Sequence, residues 1–197
     1  MTILPSLNHV TVLGILRNIK YKEEWKLPYQ FELDVMNSKE KIVTLKCGAL
    51  DIHNHLEKVK EGMDYILLNG KLRSGGFVQA RTICIINDIS SYSSPIHDIA
   101  LLGRIKSLTS KYISTDAPFN KWSIDVDIFT EYGKPDIEEI EATTTCIINH
   151  NPKNDPNSQI EKAQPGDWLA ISGKLKENGI IQTRTSLSYS FFKTSDE

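Results

Sequence analysis

Aromatic rings and cationic groups occur together in two parts of this chain. Residues 20–26 read K-Y-K-E-E-W-K, and within residues 65–73 Tyr65, Lys71 and Arg73 are separated by even numbers of positions. In a β-strand, such residues lie on the same face. Aromatic rings stack on unpaired bases of any sequence, and cations neutralise phosphates. The spacing therefore predicts a surface that binds single-stranded nucleic acid.

The residues that could perform covalent or metal chemistry are isolated from one another. His53 and His55 are two positions apart, so on a helix they face different sides and lack the arrangement that holds a metal. Cys47 and Cys146 have no cysteine or histidine pair nearby, which is typical of small core residues. The sequence contains no glycine-rich phosphate loop and no nucleophile elbow. We therefore expect no catalytic residues, no metal site and no cofactor, and hence a protein that is not an enzyme.

The chain repeats itself at about half its length. Residues 64–72 read D-Y-I-L-L-N-G-K-L and residues 167–175 read D-W-L-A-I-S-G-K-L, and both are followed by the pattern G-x-x-Q-x-R-T. Further matches in the same order are 12–14 with 101–103, 31–35 with 122–126, and Cys47 with Cys146. Collinear similarity at this period indicates a duplicated folding unit in which each copy has its own core. The sequence therefore predicts two modules, residues 1–92 and 93–197.

Composition narrows the class of protein. The 197 residues are 40% hydrophobic and 24% charged, with a net charge of −2 and a pI near 6.2, so bulk basicity alone does not attract nucleic acid. The first module holds 12 basic and 10 acidic residues and the second 11 and 15, so equal binding by both is not expected. No apolar stretch approaches the roughly 20 residues that span a bilayer. Three scattered cysteines and an N-terminus unlike a secretion signal favour a cytoplasmic protein without a membrane segment.

Two-residue alternation of β-branched and aromatic residues predicts five strands in each module. They fall at 9–19, 29–37, 40–48, 63–73 and 76–88, and at 98–109, 120–131, 138–149, 167–177 and 180–190. A short helix is expected between the third and fourth strands of each module, at 51–59 and at 158–163. Gly75-Gly76 and Asn178-Gly179 predict tight turns between the fourth and fifth strands.

Five strands with a helix between the third and the fourth are the plan of the oligonucleotide/oligosaccharide-binding (OB) barrel. We therefore predict an all-β protein of two tandem five-stranded OB-fold barrels, each with that short helix. A competing SH3-like barrel does not normally carry a helix at this point. Glycines interrupt the apolar strands where small barrels need close backbone approach, and they are Gly14, Gly70, Gly103 and Gly173. The loop after the first strand is one of the places where OB folds contact ligands, which favours binding by residues 20–26.

Several segments resemble the bacterial single-stranded DNA-binding protein (SSB) family. Residues 8–16 read N-H-V-T-V-L-G-I-L, which is similar to the family's N-x-V-x-L-x-G-x-L strand. After the stretch 49–60, residues 62–73 read G-M-D-Y-I-L-L-N-G-K-L-R and resemble the family's K-G-x-x-V-x-V-x-G-x-L-R strand. Residues 165–176 of the second module are similar to that same strand. The resemblance covers most of the first module and the outer strands of the second.

The resemblance implies a protein that binds single-stranded DNA. Some members of the family carry two modules in one chain and pair as homodimers, so a homodimer is expected. Members usually end in a Gly/Pro-rich stretch and an acidic tip that recruits partner proteins, whereas residues 191–197 read F-F-K-T-S-D-E, and recruitment by such a tip is not expected. The family's long loop between strands four and five is reduced here to Ser74-Gly75 and Glu177-Asn178.

The binding path is assumed to run along strands one, four and five. The outward positions of strand two are acidic and would repel phosphate; they are Glu32, Asp34, Asp125 and Asp127. The predicted nucleic-acid-binding residues are Arg17, Lys20, Tyr21, Trp25, Tyr65, Lys71, Arg73, Phe77 and Arg81, with Trp168, Lys174, Lys176 and Arg184 as weaker counterparts in the second module. Phe31 and Trp122 share the parity of apolar neighbours and are expected in the core.

These residues favour sequence-independent binding of single-stranded DNA in replication, repair or recombination, with RNA left open as a ligand. In the alternative, Tyr65 and Trp168 cover the barrel's helix or a dimer interface, and the neighbouring cations are a solvated flank. The chain would then be a protein-interaction or replication-accessory module, which the acidic second module and the short loops favour. A thermonuclease-like OB-fold hydrolase would need an acid, a base and a metal set that the sequence lacks.

Overall fold

A computed structural model describes residues 7–36, 42–50, 56–86, 96–112, 120–129, 140–151, 159–176, 179–183 and 189–193. Within these ranges the chain forms eleven strands, which confirms the all-β class. They are β1 (Asn8–Tyr21), β2 (Tyr29–Met36), β3 (Ile42–Ala49), β4 (Tyr65–Arg73), β5 (Phe77–Ile86), β6 (His97–Tyr112), β7 (Asn120–Phe129), β8 (Ile140–His150), β9 (Trp168–Leu175), β10 (Ile181–Gln182) and β11 (Tyr189–Phe192). Each predicted strand overlaps an observed one, and the last is observed as two segments, β10 and β11.

The two predicted helices are not confirmed. Where each was expected, the described residues form one 3-10 turn, Leu56–Lys58 in the first module and Ile160–Lys162 in the second. Residues 51–55 and residue 158 lie outside the described ranges. Leu56 and Ile160 are both buried, so each turn contributes one apolar side chain to its core.

The chain divides into two compact units. Among the described residues, the first contains His9–Asp98 and Lys176. The second contains Leu7, Asn8, Ile99–Leu175 and the described residues after 178. In the second unit, the Leu102 amide donates to the Leu7 carbonyl at 2.8 Å. Residues 87–95 lie outside the described ranges, so the division at residue 92 remains a prediction.

The strand pairings of the first unit return to their starting point. β1 pairs with β2, and β2 with β3, in antiparallel fashion. β3 then pairs with β5 in parallel, where Cys47 lies opposite Val78. β5 pairs with β4 and β4 with β1, again antiparallel. The order β1-β2-β3-β5-β4-β1 therefore forms a closed cycle.

The second unit repeats the same cycle. β6 pairs with β7 and β7 with β8, and β8 pairs in parallel with β10, where Cys146 lies opposite Ile181. β10 pairs with β9, and β9 pairs with β6. Cys47 and Cys146 thus occupy the same place at the parallel junction of each unit, which confirms their predicted correspondence. Both are fully buried, and burial raises the pKa of each thiol.

Glycines permit close strand contacts at matching places in the two units. A Cβ atom added at Gly173 would lie 2.6 Å from the carbonyl oxygen of Gln182, and one added at Gly70 would lie still closer to that of Gln79. Such distances are inside van der Waals contact, so only glycine fits without a backbone shift. The expectation of close backbone approach at these glycines is confirmed.

The core of each unit follows from strand alternation. In β4, Ile66, Leu68 and Leu72 are fully buried, as their parity predicts. Phe31 is buried as predicted, whereas Trp122 is only partly buried. No helix among the described residues is long and apolar enough to cross a membrane.

Candidate nucleic-acid interface

Backbone hydrogen bonds within the loop between β1 and β2 fix its conformation. The Lys22 amide donates to the carbonyl of Pro28 at 3.0 Å, and the Trp25 amide donates to the carbonyl of Lys22 at 3.2 Å. The Lys22 ammonium also lies 5.1 Å from the centroid of the Trp25 ring, within the range of a cation–π interaction. These contacts position the indole of Trp25 beside a cation.

The turn between β4 and β5 brings a second cation and a second ring together. It is a 3-10 segment, Ser74–Gly76, in which Gly75 and Gly76 have φ values of 75° and 77°. This left-handed conformation favours glycine, as the Gly-Gly pair predicts. Arg73 and Phe77 face each other across the turn as a register pair. The Arg73 Nε donates to the Gln79 Oε1 at 2.7 Å, which holds the guanidinium beside β5.

The β1–β2 loop and the strand ends that flank the β4–β5 turn line one open pocket of the first unit, which we call the aromatic pocket. Its volume is about 640 Å³. Its lining residues are Glu24, Trp25, Lys26, Leu27, Gln30, Leu50, Arg73, Phe77 and Gln79. Three predicted binding residues, Trp25, Arg73 and Phe77, are thus brought together although 48 and 52 positions separate Trp25 from the other two. The pocket offers aromatic surface and positive charge in one place.

The ring of Phe77 packs against the backbone of β3 at Gly48, which has no side chain. A Cβ atom added at Gly48 would lie 2.5 Å from the ring atom Cζ of Phe77 and 3.2 Å from Cδ1 of Leu27. The ring therefore occupies the space that a side chain at position 48 would take. Sequence reasoning missed Gly48, because the contact joins positions 29 residues apart and the only local signal is a glycine at the end of an apolar strand.

The aromatic pocket carries charges of both signs, with more cations than carboxylates. Lys26 and Arg73 contribute two cations to its lining and Glu24 contributes one carboxylate. Lys22 adds a further cation beside the Trp25 ring. The carboxylate disfavours phosphate close to the β1–β2 loop, whereas Arg73 provides a planar donor group that suits phosphate oxygens.

Lys20 and Tyr21 continue from the pocket along β1. Lys20 is exposed and lies opposite Gln30, which lines the pocket. Tyr21 is 57% exposed, and its ring centroid lies 4.9 Å from that of Tyr29 at an interplanar angle of 51°. The Tyr29 hydroxyl donates to Glu57 Oε1 at 2.9 Å. Tyr29 is buried, so it supports the Tyr21 ring while the other face of that ring can reach solvent.

Arg17 belongs to a different surface. Its Nε donates to Asp34 Oδ2 at 2.5 Å, and the other oxygen of Asp34 accepts the Thr44 hydroxyl at 2.8 Å. Asp125 of the second unit accepts the hydroxyls of Ser107 and Thr145 in the same way, each at 2.8 Å. The outward face of β2 is therefore acidic, as expected, and its carboxylate already neutralises the Arg17 guanidinium.

Two predicted binding residues are buried, so the expectation that they lie on an open face is wrong. Lys71 is 6% exposed, and its neighbours Gly70 and Leu72 in β4 are buried as well. Trp168 is also 6% exposed, because its ring packs 5.8 Å from that of Phe129. Neither side chain is open to a ligand in this conformation.

The remaining predicted residues lie outside the aromatic pocket. Tyr65 is half-buried at the start of β4, opposite Ile15 and Ile86. Arg81 is exposed at the extra residue of the register shift in β5. Lys174 and Lys176 are half-buried, and Arg184 lies outside the described residues.

Metal ligands do not gather in the part of the chain that the structure describes. No group of three or more histidine, cysteine, aspartate or glutamate side chains there is arranged to hold a metal ion. His53 and His55 lie outside the described residues. Because burial raises the pKa of both matched thiols, Cys47 and Cys146 stay protonated at neutral pH and are poor ligands.

Comparison with known proteins finds solved structures with a similar fold. No protein-family model matches the sequence, and no curated protein sequence matches it. Among solved structures, the chain is similar to the single-stranded DNA binding protein from Thermus aquaticus, in its wild-type form and in a deletion variant. Both have a TM-score of 0.66 and 13% sequence identity. The likeness covers 98% of this chain and 96% and 97% of those chains, so the folds agree over the whole length.

Proposed function

We propose that this chain binds single-stranded DNA without sequence preference, through the aromatic pocket of its first unit. The observation that carries the proposal is the convergence of Trp25, Arg73 and Phe77 on one pocket. OB folds contact oligonucleotides through the loop between strands one and two and the loop between strands four and five. This pocket is lined by the β1–β2 loop and by the ends of β4 and β5 that flank the turn between them.

The same proposal interprets each closed cycle of strands as a five-stranded OB barrel. The order β1-β2-β3-β5-β4-β1 supports it, because β3 joins β5 in parallel and leaves β4 to close on β1. The 3-10 turn at Leu56–Lys58 stands where the OB plan has its helix. The fold likeness to the Thermus aquaticus protein supports the tandem arrangement.

Binding in this proposal is physical and involves no reaction. Trp25 and Phe77 stack on unpaired bases, at about 1–3 kcal/mol for each base, and Arg73 and the lysines of the loop neutralise phosphates. Lys20 and Tyr21 extend the path along β1. Such a protein protects exposed strands during replication, repair or recombination in the cytoplasm and is not an enzyme.

Equilibrium titration of a labelled oligo-dT by fluorescence anisotropy tests the proposed function. Binding that weakens as salt rises is expected, because phosphate contacts release counterions. Trp25→Ala and Phe77→Ala should each weaken binding by about 5-fold to 150-fold, the range that corresponds to one lost stacking contact. Phe192→Ala removes an aromatic ring of 45% exposure on β11 and is the matched control, with unchanged affinity expected. The absence of measurable binding of the unaltered protein at low salt would refute the proposal.

A homodimer is part of the proposed function, because the resembled family presents several barrels to one strand. Light scattering at increasing protein concentration should give a mass near twice the 22.3 kDa of the chain. A mass near 22.3 kDa at every concentration would exclude the dimer without excluding DNA binding.

A protein-interaction role is the second candidate for the second module alone. Its excess of acidic over basic residues, 15 against 11 in residues 93–197, disfavours phosphate. Trp168, its predicted stacking residue, is buried against Phe129. If this role is correct, charge reversal of exposed lysines in this module will leave oligonucleotide affinity unchanged.

A further inference from the structure

The residue against which the Phe77 ring packs in the first module is different at the corresponding position of the second module. In the first unit the ring lies over Gly48, with the space of a Cβ atom at that position filled by ring atom Cζ. Leu27 closes the same space from the β1–β2 loop. Any side chain at position 48 would therefore displace the ring from the pocket, since a Cβ atom alone would lie only 2.5 Å from it.

The strand register identifies the corresponding positions in the second module. Cys47 lies opposite Val78 and Cys146 lies opposite Ile181, so the next pairs along are Gly48 with Gln79 and Ile147 with Gln182. Gly48 therefore corresponds to Ile147. The repeated G-x-x-Q pattern likewise matches Phe77 with Ile180.

The two modules differ at both positions of the pair. The first module combines a glycine with a large ring, and the second combines two isoleucines, of which Ile180 is 36% exposed. A ring at position 180 would meet the β-branched side chain of Ile147 where Phe77 meets bare backbone. An isoleucine offers no flat face for a base, so the second module lacks a stacking surface at this place.

We infer that Gly48 is a positioning residue, which leaves the space in which the Phe77 ring lies as a base-stacking surface in the first module. In the second module, Ile147 and Ile180 at the corresponding positions provide no such surface. The inference rests on the proposed function and refines it. One chain then stacks a base at this place in only one of its two modules.

A pair of substitutions in the full chain tests the inference. Gly48→Ile should displace the Phe77 ring, lower the melting temperature and weaken oligo-dT binding by about 5-fold to 150-fold, as for the loss of one stacked base. Gly48→Ile combined with Phe77→Ile copies the second module and should recover much of the melting temperature but none of the affinity. The slope of log affinity against log salt should stay unchanged in both variants, because no phosphate contact is removed.

The second module supplies the controls. Ile180→Ala should leave oligo-dT affinity unchanged. The double variant Ile147→Gly with Ile180→Phe copies the Gly48/Phe77 pair into the second module and should increase oligo-dT affinity. This gain does not depend on whether Gly48→Ile folds. If Gly48→Ile is unfolded, Gly48→Ala makes the same contact with a single methyl group and should give a smaller loss of affinity.

These experiments distinguish failure of the inference about Gly48 from failure of the proposed function. Equal losses from Phe77→Ala and Ile180→Ala, or recovery of full affinity in the Gly48→Ile/Phe77→Ile variant, would overturn the inference while DNA binding stands. If the unaltered protein does not bind oligo-dT at all, the proposed function fails. In that case the recovery of melting temperature still tests whether positions 48 and 77 are coupled.

Discussion

At the scale of single residues, the two arginines predicted to bind phosphate lie on different surfaces. Arg73 lines the aromatic pocket beside Phe77, whereas Arg17 lies outside that lining and donates to Asp34 on the acidic face of β2. Because the proposed DNA path runs through the pocket, the two arginines should contribute unequally to DNA binding.

Salt dependence of binding measures this difference. Arg73→Gln removes one phosphate contact, so the slope of log affinity against log salt should become shallower by about 0.7, the value for one contact on a single strand. Arg17→Gln is the matched control and should change the slope by much less. Equal changes in slope for both variants would show that Asp34 does not neutralise Arg17 in the complex.

The cysteines offer a second test at the same scale. Cys84 is exposed, whereas Cys47 and Cys146 are buried, and burial raises the pKa of both thiols. Because the thiolate is the reactive form, a raised pKa keeps these two groups protonated and unreactive from pH 7 to pH 9. Native protein should consume one equivalent of a thiol reagent in that range and three equivalents in denaturant. Fast labelling of all three under native conditions would contradict the burial at the parallel strand junctions.

At the scale of strands, the two glycines at matched strand contacts are essential for close packing. Gly173→Ala places a methyl group 2.6 Å from the Gln182 carbonyl, so unfolding free energy should fall by about 1–3 kcal/mol in urea titration. Gly75→Ala meets no atom within 4 Å and has only the strain of its positive φ, about 1–2 kcal/mol. Gly70→Ala, with the closer contact, should be the most destabilising of the three. If Gly75→Ala proves as harmful as Gly70→Ala, backbone strain rather than strand contact explains the glycines.

Strand alternation in the sequence was sufficient to predict most elements but not every exposed face. Each of the ten strands that it predicts overlaps an observed strand, and it identified the buried residues of β4, because period-2 burial is a local property. It did not predict the burial of Lys71, which has the parity of the outward positions of β4, or that of Trp168, since the Phe129 ring that covers it lies 39 positions away. Gly48 was missed for the same reason: the Phe77 ring that explains it lies on another strand. The helices expected at 51–59 and 158–163 correspond, in the described residues, to single 3-10 turns.

At the scale of the whole molecule, the repeat preserves the fold and changes the binding surface. Matched residues hold the strand cycle of each unit together, including Cys47 and Cys146 at the parallel junctions. At the aromatic pocket the copies differ at a proposed stacking position, where Phe77 corresponds to Ile180. The two copies therefore share their strand pairing and differ in this part of the surface.

Ligand-induced stabilisation tests binding by the intact molecule. A ligand that binds the folded state alone raises its stability, so oligo-dT should raise the melting temperature in proportion to the logarithm of its concentration. A duplex of the same length should produce a much smaller shift, because its bases are paired and cannot stack on Trp25 or Phe77. Equal shifts with both ligands would indicate binding through phosphates alone.

Photo-cross-linking is the most direct test of where an unpaired base rests. An oligonucleotide carrying 5-iododeoxyuridine is irradiated in complex with the full chain, and the attached peptides are identified by mass spectrometry. We expect adducts at Trp25 or Phe77 in the aromatic pocket, and the loss of any Phe77 adduct in the Gly48→Ile variant. Adducts confined to the second module, or to Tyr65 and the outer face of β4, would contradict this expectation.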